Sequence, residues 1–393
     1  MGSQLFDRLG PARGFSQEES LLLDALDRVC NDIIGPNAAE IDRTAEFPWE
    51  NIRALNDLGL NQIFLPESCG GDQLSYAAYL ECVRRISYRC ASTGIIWATN
   101  FHAMKPVIDR GRPEQVERLL PAIADGGLAA LCITEPEAGS DATAMRLRMS
   151  EDGDDVVLDG SKTFITNGDV ADRLLVFGKW AGIEDPRAAI TAVVVEGGTQ
   201  GLSTLGHIEK MGTRGSSTAT LAFDSCRVPK DNVIGEIGGG LELLLASLNK
   251  SRPSVAAHAL GIARAALDAA VGHINDRTQS KKRIIEFQGI QFMVADLVAD
   301  LVTAEQWLWH VADLVDAGTE GYGIEASILK LRATDAAMRV TTDAVQLFGG
   351  YGYCREYPVE RLMRDAKITQ IWEGTNQIHR QLIGRSFVVR RQG

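Results

Sequence analysis

The sequence has few cysteines, and they follow no pairing pattern. The seven cysteines are odd in number and scattered, without a Cys-x-x-Cys pair. Disulfide frameworks and zinc ribbons depend on regular pairs. The six histidines also lack the short spacings of metal ligands. We therefore predict no metal site and a reducing compartment.

The sequence also lacks an excess of positive charge. It has 40 Lys and Arg against 52 Asp and Glu, which gives a formal net charge of −12. This sign is wrong for a general binder of phosphate backbones, so nucleic acid is not an expected partner. No uninterrupted apolar run approaches the ~18 residues of a membrane span, and the N-terminus has no apolar signal-peptide core. We expect a cytoplasmic protein that does not insert into membranes.

What is present is typical of a folded protein of two or three domains. Of its 393 residues, 45% are hydrophobic and 23% are charged. Helical periodicity predominates in residues 1–127, short β-rich runs in 128–238, and helical periodicity again in 239–393. This order predicts an α+β protein with an N-terminal α-helical domain, a middle β-domain and a C-terminal helical bundle. The absence of βαβ alternation, a Gly-x-Gly-x-x-Gly motif and a Walker loop argues against Rossmann and P-loop nucleotide sites.

Local patterns add detail to this outline. Ser16 and Glu19 form a capping-box signature, which predicts the start of a helix. Gly35-Pro36 predicts the end of this helix. A 4-3 apolar spacing over 290–315 predicts a long bundle helix. Asn167-Gly168, after a β-rich run, predicts a hairpin turn.

Four segments have the composition of ligand-binding sites. Residues 134–141 combine Pro and Gly with hydroxyl and acidic side chains, and residues 160–168 end in Asn-Gly. Residues 210–218 join basic and hydroxyl side chains, whereas residues 346–377 contain a glycine cluster and a Trp-Glu-Gly-Thr turn. Each has a plain structural interpretation as well: a turn, a hairpin, a solvated loop, or a Glu near a helix N-terminus.

Together, the motifs Thr134-Glu-Pro, Phe164-Ile-Thr-Asn-Gly, Lys210-Met-Gly, Arg364-Asp-Ala-Lys and Trp372-Glu-Gly-Thr resemble the acyl-CoA dehydrogenase family. The resemblance extends over about residues 16–386. It implies a homotetrameric FAD flavoprotein whose C-terminal bundle has four helices and whose cofactor reaches a neighbouring subunit. It also implies an acyl-CoA substrate and an electron-transfer flavoprotein as acceptor.

The resemblance also implies a role for individual residues. Glu373 would be the base that removes the substrate α-proton. A subset of the family places its Glu just before the position of Arg252, but here that residue is Ser251, which cannot serve as base. The implied FAD-binding residues are Leu131, Thr134, Ser140, Phe164, Thr166, Arg277, Gln288, Gln346, Gly349, Gly350, Thr375 and Gln377. The implied substrate-binding residues are Ser140, Asn249, Arg252, Gly374 and Arg385.

Two departures from the family pattern concern the ligands. Asn249 stands where an Asp is usual, and Ser280 where a Phe is usual. The Asn249 departure keeps open the dehydrogenation of an acyl or aminoacyl thioester on a carrier protein. A flavin oxidase or monooxygenase on the same fold and a non-catalytic scaffold are two further alternatives. The chain segments 98–105 and 353–357 are candidates for the residues that set acyl specificity.

Overall fold

A computed structural model describes residues 13–388 of the chain. Residues 17–124 form a layer of helices around apolar side chains such as Leu26, Tyr79 and Trp97. The helices of this part are α1 (Gln17–Val29), α2 (Gly35–Thr44), α3 (Trp49–Asp57), α4 (Tyr76–Arg89), α5 (Ala91–Arg110), α6 (Pro113–Leu119) and α7 (Pro121–Ala124).

The first helix confirms one local prediction and corrects another. Ser16 Oγ accepts a hydrogen bond from the Glu19 N–H, and Glu19 accepts one from the Ser16 N–H, so the capping box is present. Gly35-Pro36 does not end the helical path, because a π-helical segment at Cys30–Ile34 leads directly into α2. Pro36 lies in the first turn of α2, where a missing N–H is tolerated.

The middle of the chain folds into an eight-stranded mixed sheet. The path of the sheet is β6-β7-β3-β2-β4-β5-β8, and β1 pairs with β4 in parallel. The strands are β1 (Ala129–Cys132), β2 (Arg148–Asp152), β3 (Asp155–Thr166), β4 (Arg173–Trp180), β5 (Ile190–Glu196), β6 (Leu202–His207), β7 (Thr218–Pro229) and β8 (Val233–Ile234).

The hairpin predicted at Asn167-Gly168 is wrong. Strand β3 pairs with β2 and β7 and not with β4, which follows the turn. Asn167 does have the positive φ, 61°, of a turn residue. Its buried amide Nδ2 donates to the carbonyls of Ile96 and Ala129. The turn therefore joins the sheet to helix α5 instead of joining two neighbouring strands.

The last third is a helical bundle with a two-stranded ribbon. Its elements are α8 (Gly240–Asp276), β9 (Thr278–Gln279), β10 (Lys282–Arg283), α9 (Gln288–Asp316), α10 (Gly323–Phe348), α11 (Pro358–Lys367) and α12 (Asn376–Ser386). Helix α9 confirms the prediction for 290–315, and Leu297, Leu301 and Leu308 are fully buried. Among the described residues only α8 is long and apolar enough to cross a membrane, and most of its apolar window is buried in the protein.

The bundle and the sheet are joined through two of the sequence motifs. The buried Asp365 accepts a hydrogen bond of 2.5 Å from the Thr213 N–H. Burial raises the pKa of Asp365 to about 6. Arg364 donates to the Met211 carbonyl and forms a bidentate ion pair with Asp42. The Lys-Met-Gly and Arg-Asp-Ala-Lys motifs thus fix the relative positions of the three parts of the chain.

Candidate functional site

The Trp-Glu-Gly-Thr segment forms the turn between α11 and α12. Glu373 has a positive φ of 51°, which is uncommon for a residue with a side chain, and Gly374 follows with φ 92°. Thr375 is the N-cap of α12, and its hydroxyl accepts from the Ile378 N–H at 3.3 Å. The turn therefore presents a half-buried carboxylate directly before a helix N-terminus.

Helix α8 supplies the side chains that surround this carboxylate. Ser251 Oγ donates to Glu373 Oε2 at 2.5 Å. Arg252 is 7% exposed, and its Nη1 donates to Asn249 Oδ1 at 2.8 Å. Burial lowers the pKa of Arg252, and the Glu373 carboxylate opposes this shift. The structure thus brings together Glu373, Gly374 and two of the predicted substrate-binding residues, Asn249 and Arg252.

A buried lysine that the sequence analysis did not identify lies against the same turn. Lys330, on α10, has no exposed surface, and its Nζ donates to the Gly374 carbonyl at 2.7 Å. Burial lowers the pKa of Lys330 to about 7, while Glu373 raises it and Arg252 lowers it further. The sequence signal was a lysine on a helical face of small residues that include Ser327, Ala333 and Thr334.

Helix α5 places a second titratable group near the carboxylate. His102 is 4% exposed, and its Nε2 has no hydrogen-bond partner among residues 13–388. Burial lowers the pKa of His102, and the nearby Glu373 opposes this effect. His102 lies within segment 98–105, one of the two candidates for acyl specificity. Tyr353, in the other candidate segment, is 89% exposed.

The loop after β1 lies beside the end of β3. The Thr163 N–H donates to the Thr134 carbonyl at 2.9 Å, which joins the first two motifs. Glu135 is buried, and its carboxylate accepts 2.7 Å and 3.0 Å hydrogen bonds from Lys162 Nζ and the Leu147 N–H. Glu135 therefore anchors the loop. Leu131 and Thr134 are partly exposed, and Ser140 is exposed.

The end of β3 presents an aromatic side chain to the surface. Phe164 is 64% exposed and has a positive φ of 58°. Thr166 is partly exposed and pairs with Thr218 of β7. Residues held in strained backbone conformations cluster at functional sites, so this strand end is a candidate ligand position.

A second cluster of predicted cofactor residues lies at one end of the bundle. The exposed Arg277 packs over the ring of Tyr351, 5.5 Å from its centroid. The Ile284 N–H donates to the Arg277 carbonyl. The other predicted members here are also exposed: Gln288 at the start of α9, and Gln346, Gly349 and Gly350 at the end of α10. Within the described residues, no hydrogen bond, ion pair or ring contact joins this cluster to Thr134, Phe164 or Thr166.

The remaining predicted residues lie on α12 and in the loop before β7. Gln377 and Arg385 are exposed on α12. Lys210 donates to the Ser216 carbonyl, and burial lowers the pKa of Lys210 to about 8. Arg214 Nε is buried without a partner among the described residues. Lys210 and Arg214 line a cavity of about 550 Å³ with the end of α2.

The chemistry of the predicted cofactor residues fits FAD. Thr134, Ser140 and Thr166 offer hydroxyl groups, Phe164 offers an exposed ring, and Arg277 offers a cation for phosphate. A side chain added at Gly139, Gly349 or Gly350 would meet open space, so a ligand can approach the backbone at all three. The group around Thr134 and Phe164 would hold the flavin, and the group around Arg277 and Gly349 would hold the pyrophosphate.

Family models cover almost the whole chain. Residues 16–127 match the model described as the acyl-CoA dehydrogenase N-terminal domain, residues 130–226 the middle domain, and residues 238–388 the C-terminal domain.

Individual proteins also match this chain over nearly their full length. The probable acyl-CoA dehydrogenase FadE25 of Mycobacterium tuberculosis is 40% identical over 95% of this chain and 96% of its own. Butyryl-CoA dehydrogenase from Megasphaera elsdenii has a TM-score of 0.92 and 35% identity, over 95% of this chain and 99% of its own. A chain from a structural study of the electron transferring flavoprotein of Acidaminococcus fermentans has a TM-score of 0.93 and 37% identity, over 96% and 99%.

Proposed function

Because the chain belongs to the acyl-CoA dehydrogenase family, whose members are FAD-dependent oxidoreductases, we propose that Glu373 is the base of its α,β-dehydrogenation. The substrate is an acyl-CoA thioester and the product is the trans-2-enoyl thioester. The observation that carries this assignment is the placement of the Glu373 carboxylate, half-buried on a positive-φ turn and in contact with Ser251.

The turn supplies both a hydrogen-bond donor and a base for the reaction. A thioester α-C–H is a weak acid, so the enolate-like charge must be stabilised where it develops. The Glu373 N–H is the protein donor that we propose for the thioester carbonyl, while the Glu373 carboxylate takes the α-proton. Bound FAD would supply the acceptor for the hydride that leaves the β-carbon.

Helix α8 orients both base and substrate. The Ser251 hydroxyl fixes one carboxylate oxygen of Glu373. The buried Arg252 and its partner Asn249 offer polar groups next to the turn for the thioester and its pantetheine arm. Because the neutral Asn249 accepts from Arg252 where an aspartate is usual, the cation keeps more of its charge for the substrate.

Anaerobic titration of the purified holoenzyme with a panel of acyl-CoA thioesters tests the reaction. We expect one class of acyl group to bleach the flavin absorbance, which identifies the substrate. If only carrier-protein thioesters of the same acyl groups bleach the flavin, the substrate is a carrier-protein thioester and not an acyl-CoA. Rapid reoxidation of the reduced flavin in air would favour an oxidase over transfer to an electron-transfer flavoprotein. A purified protein without flavin would favour the scaffold.

Substitution of the base tests the assignment of Glu373. We expect Glu373→Gln to retain the flavin spectrum and to lower turnover by about 10²- to 10⁴-fold, the usual contribution of general base catalysis. Glu117→Gln is the matched control, because Glu117 is exposed on α6 and lies outside every candidate segment. Normal turnover by Glu373→Gln would refute the assignment.

We also propose a homotetramer in which FAD lies between subunits. The exposed cluster around Arg277 and Gly349 is separate from Thr134 and Phe164 in the single chain, and a neighbouring subunit would bring the two sets together. Light scattering of the holoprotein measures the mass of the assembly, which we expect to be that of four chains. We expect Arg277→Ala to lower flavin content without lowering Glu373-dependent turnover per bound flavin.

A further inference from the structure

The turn that carries Glu373 is held by a buried cation from another helix. Lys330 Nζ donates to the Gly374 carbonyl at 2.7 Å and to Asn376 Oδ1 at 3.0 Å. Asn376 is itself fixed, since its Nδ2 donates to Thr334 Oγ1 at 2.9 Å and to Asp335 Oδ1 at 2.8 Å. Two points of the turn, on either side of Thr375, are thus tied to helix α10.

The conformation of the turn requires such an anchor. A residue with a side chain at φ 51° is strained relative to the right-handed region, so Glu373 relaxes unless its neighbours prevent it. Gly374 is packed from the other side, because a Cβ there would lie 3.1 Å from His379 Nε2. Lys330 therefore holds the backbone directly after the carboxylate.

From this geometry we propose that Lys330 is a positioning residue for the reaction: it fixes the Glu373-Gly374 turn so that the carboxylate points at the substrate α-carbon. The inference rests on the proposed role of Glu373. Among the hydrogen bonds within residues 13–388, the Lys330 amine donates only to the Gly374 carbonyl and the Asn376 amide oxygen, so in this proposal it acts through the base and not on the substrate.

The charges that face Lys330 make its effect dependent on pH. They are Glu373, Asp335, Arg252 and the His379 ring. Among the residues that the structure describes, Lys330 forms no ion pair, and burial lowers its pKa to about 7. The protonated amine donates stronger hydrogen bonds than the neutral amine. The turn is therefore held best below neutral pH and less well above it.

Replacement of Lys330 in the holoenzyme tests the proposal. We expect Lys330→Met to lower the rate of flavin reduction in a single turnover by about 10²-fold, the effect of a ~1 Å misplacement of a catalytic group. Flavin content and the dissociation constant for the substrate should stay within about twofold. Lys230→Met is the control, because the Lys230 side chain is 42% exposed and pairs with Glu151 at the surface, and its rate should match the wild type.

Lys330→Arg provides a second readout, which also serves if Lys330→Met does not fold. The wild-type rate of flavin reduction should fall as pH rises through the titration of Lys330. A guanidinium stays protonated throughout this range. We therefore expect Lys330→Arg, at whatever rate it retains, to move this alkaline fall upward by at least about one pH unit.

The outcomes separate this inference from the proposed function. An unchanged rate in Lys330→Met, or an unchanged alkaline fall in Lys330→Arg, overturns the positioning role. So does a loss of rate that only parallels a loss of bound flavin. If Glu373→Gln measured in parallel is inactive, the proposed function stands even when the positioning role fails. If Glu373→Gln turns over normally, the assignment of the base fails first.

Discussion

Two lysines are fully buried within residues 13–388, and they differ in whether a carboxylate pairs with them. Lys162, on β3, forms a 2.7 Å ion pair with the buried Glu135 and also donates to the Ile133 carbonyl. Lys330, on α10, donates only to neutral oxygens, those of Gly374 and Asn376, in the part of the chain that the structure describes. Burial lowers the pKa of both lysines. Glu135 opposes the shift of Lys162 through an ion pair, whereas Glu373 opposes that of Lys330 without forming an ion pair among the described residues.

The difference separates a structural from a functional buried charge. The ion pair of Lys162 anchors the loop after β1, and every contact of the pair lies within the β-domain. The charge of Lys330 is not neutralised in this way, and burial of such a charge is unfavourable. The charge of Lys330 is nevertheless retained directly against the strained turn, and we therefore assign it the role of positioning Glu373.

The largest effect on stability is expected when the compensated pair is broken. Lys162→Met leaves the Glu135 carboxylate buried without its cation. We expect the free energy of unfolding to fall by about 3–5 kcal/mol, the usual effect of removing one partner of a buried pair. Urea unfolding of the holoprotein measures it.

The double variant Glu135→Gln/Lys162→Met sharpens this result. It removes the unpaired charge, so we expect much of the lost stability to return. Additive losses from the two single variants would show that Lys162 and Glu135 do not act as a pair.

A smaller effect on stability is expected at the uncompensated lysine. Lys330→Met leaves two neutral acceptors without their donor, which costs about 1–2 kcal/mol. This loss is smaller than that for Lys162→Met, although the effect on the reaction rate is larger. A larger loss in the free energy of unfolding for Lys330→Met than for Lys162→Met would contradict this comparison of the two lysines.

The dependence on pH gives Lys330 a further signature. Because its folded pKa is about 7 and its ordinary value is 10.5, the unfolded chain binds more protons between these pH values. Stability therefore rises with pH there on account of this group. We expect the difference in free energy of unfolding between wild type and Lys330→Met to grow from pH 7 to about 10. A constant difference would contradict the lowered pKa.

The smallest effect is expected at an exposed ion pair. Lys230 pairs with Glu151 at the surface, and both side chains are more than 40% exposed. We expect Lys230→Met to change the free energy of unfolding by no more than about 1 kcal/mol. A loss as large as that of Lys162→Met would show that burial is not what distinguishes these lysines.

Local patterns predicted much of the architecture. The apolar spacing over 290–315 predicted α9, and Ser16 with Glu19 predicted the capped start of α1. The prediction at Asn167-Gly168 was wrong because a long-range contact decided the outcome: the amide of Asn167 joins the sheet to α5. The prediction at Gly35-Pro36 was wrong because a π-helical segment leads directly into α2, and Pro36 lies in the first turn of α2, where a missing N–H is tolerated.

By itself the sequence determined the order of helical and β-rich regions, the motifs of the family and the capping box at Ser16 and Glu19. These features depend on residues close together in the chain, so spacing alone reveals them. Only the tertiary structure decided that Ser251 bonds to Glu373 across 122 positions and that Lys330 holds Gly374 across 44. Such contacts depend on how helices pack, and helical periodicity indicates that a face is buried without indicating what lies against it.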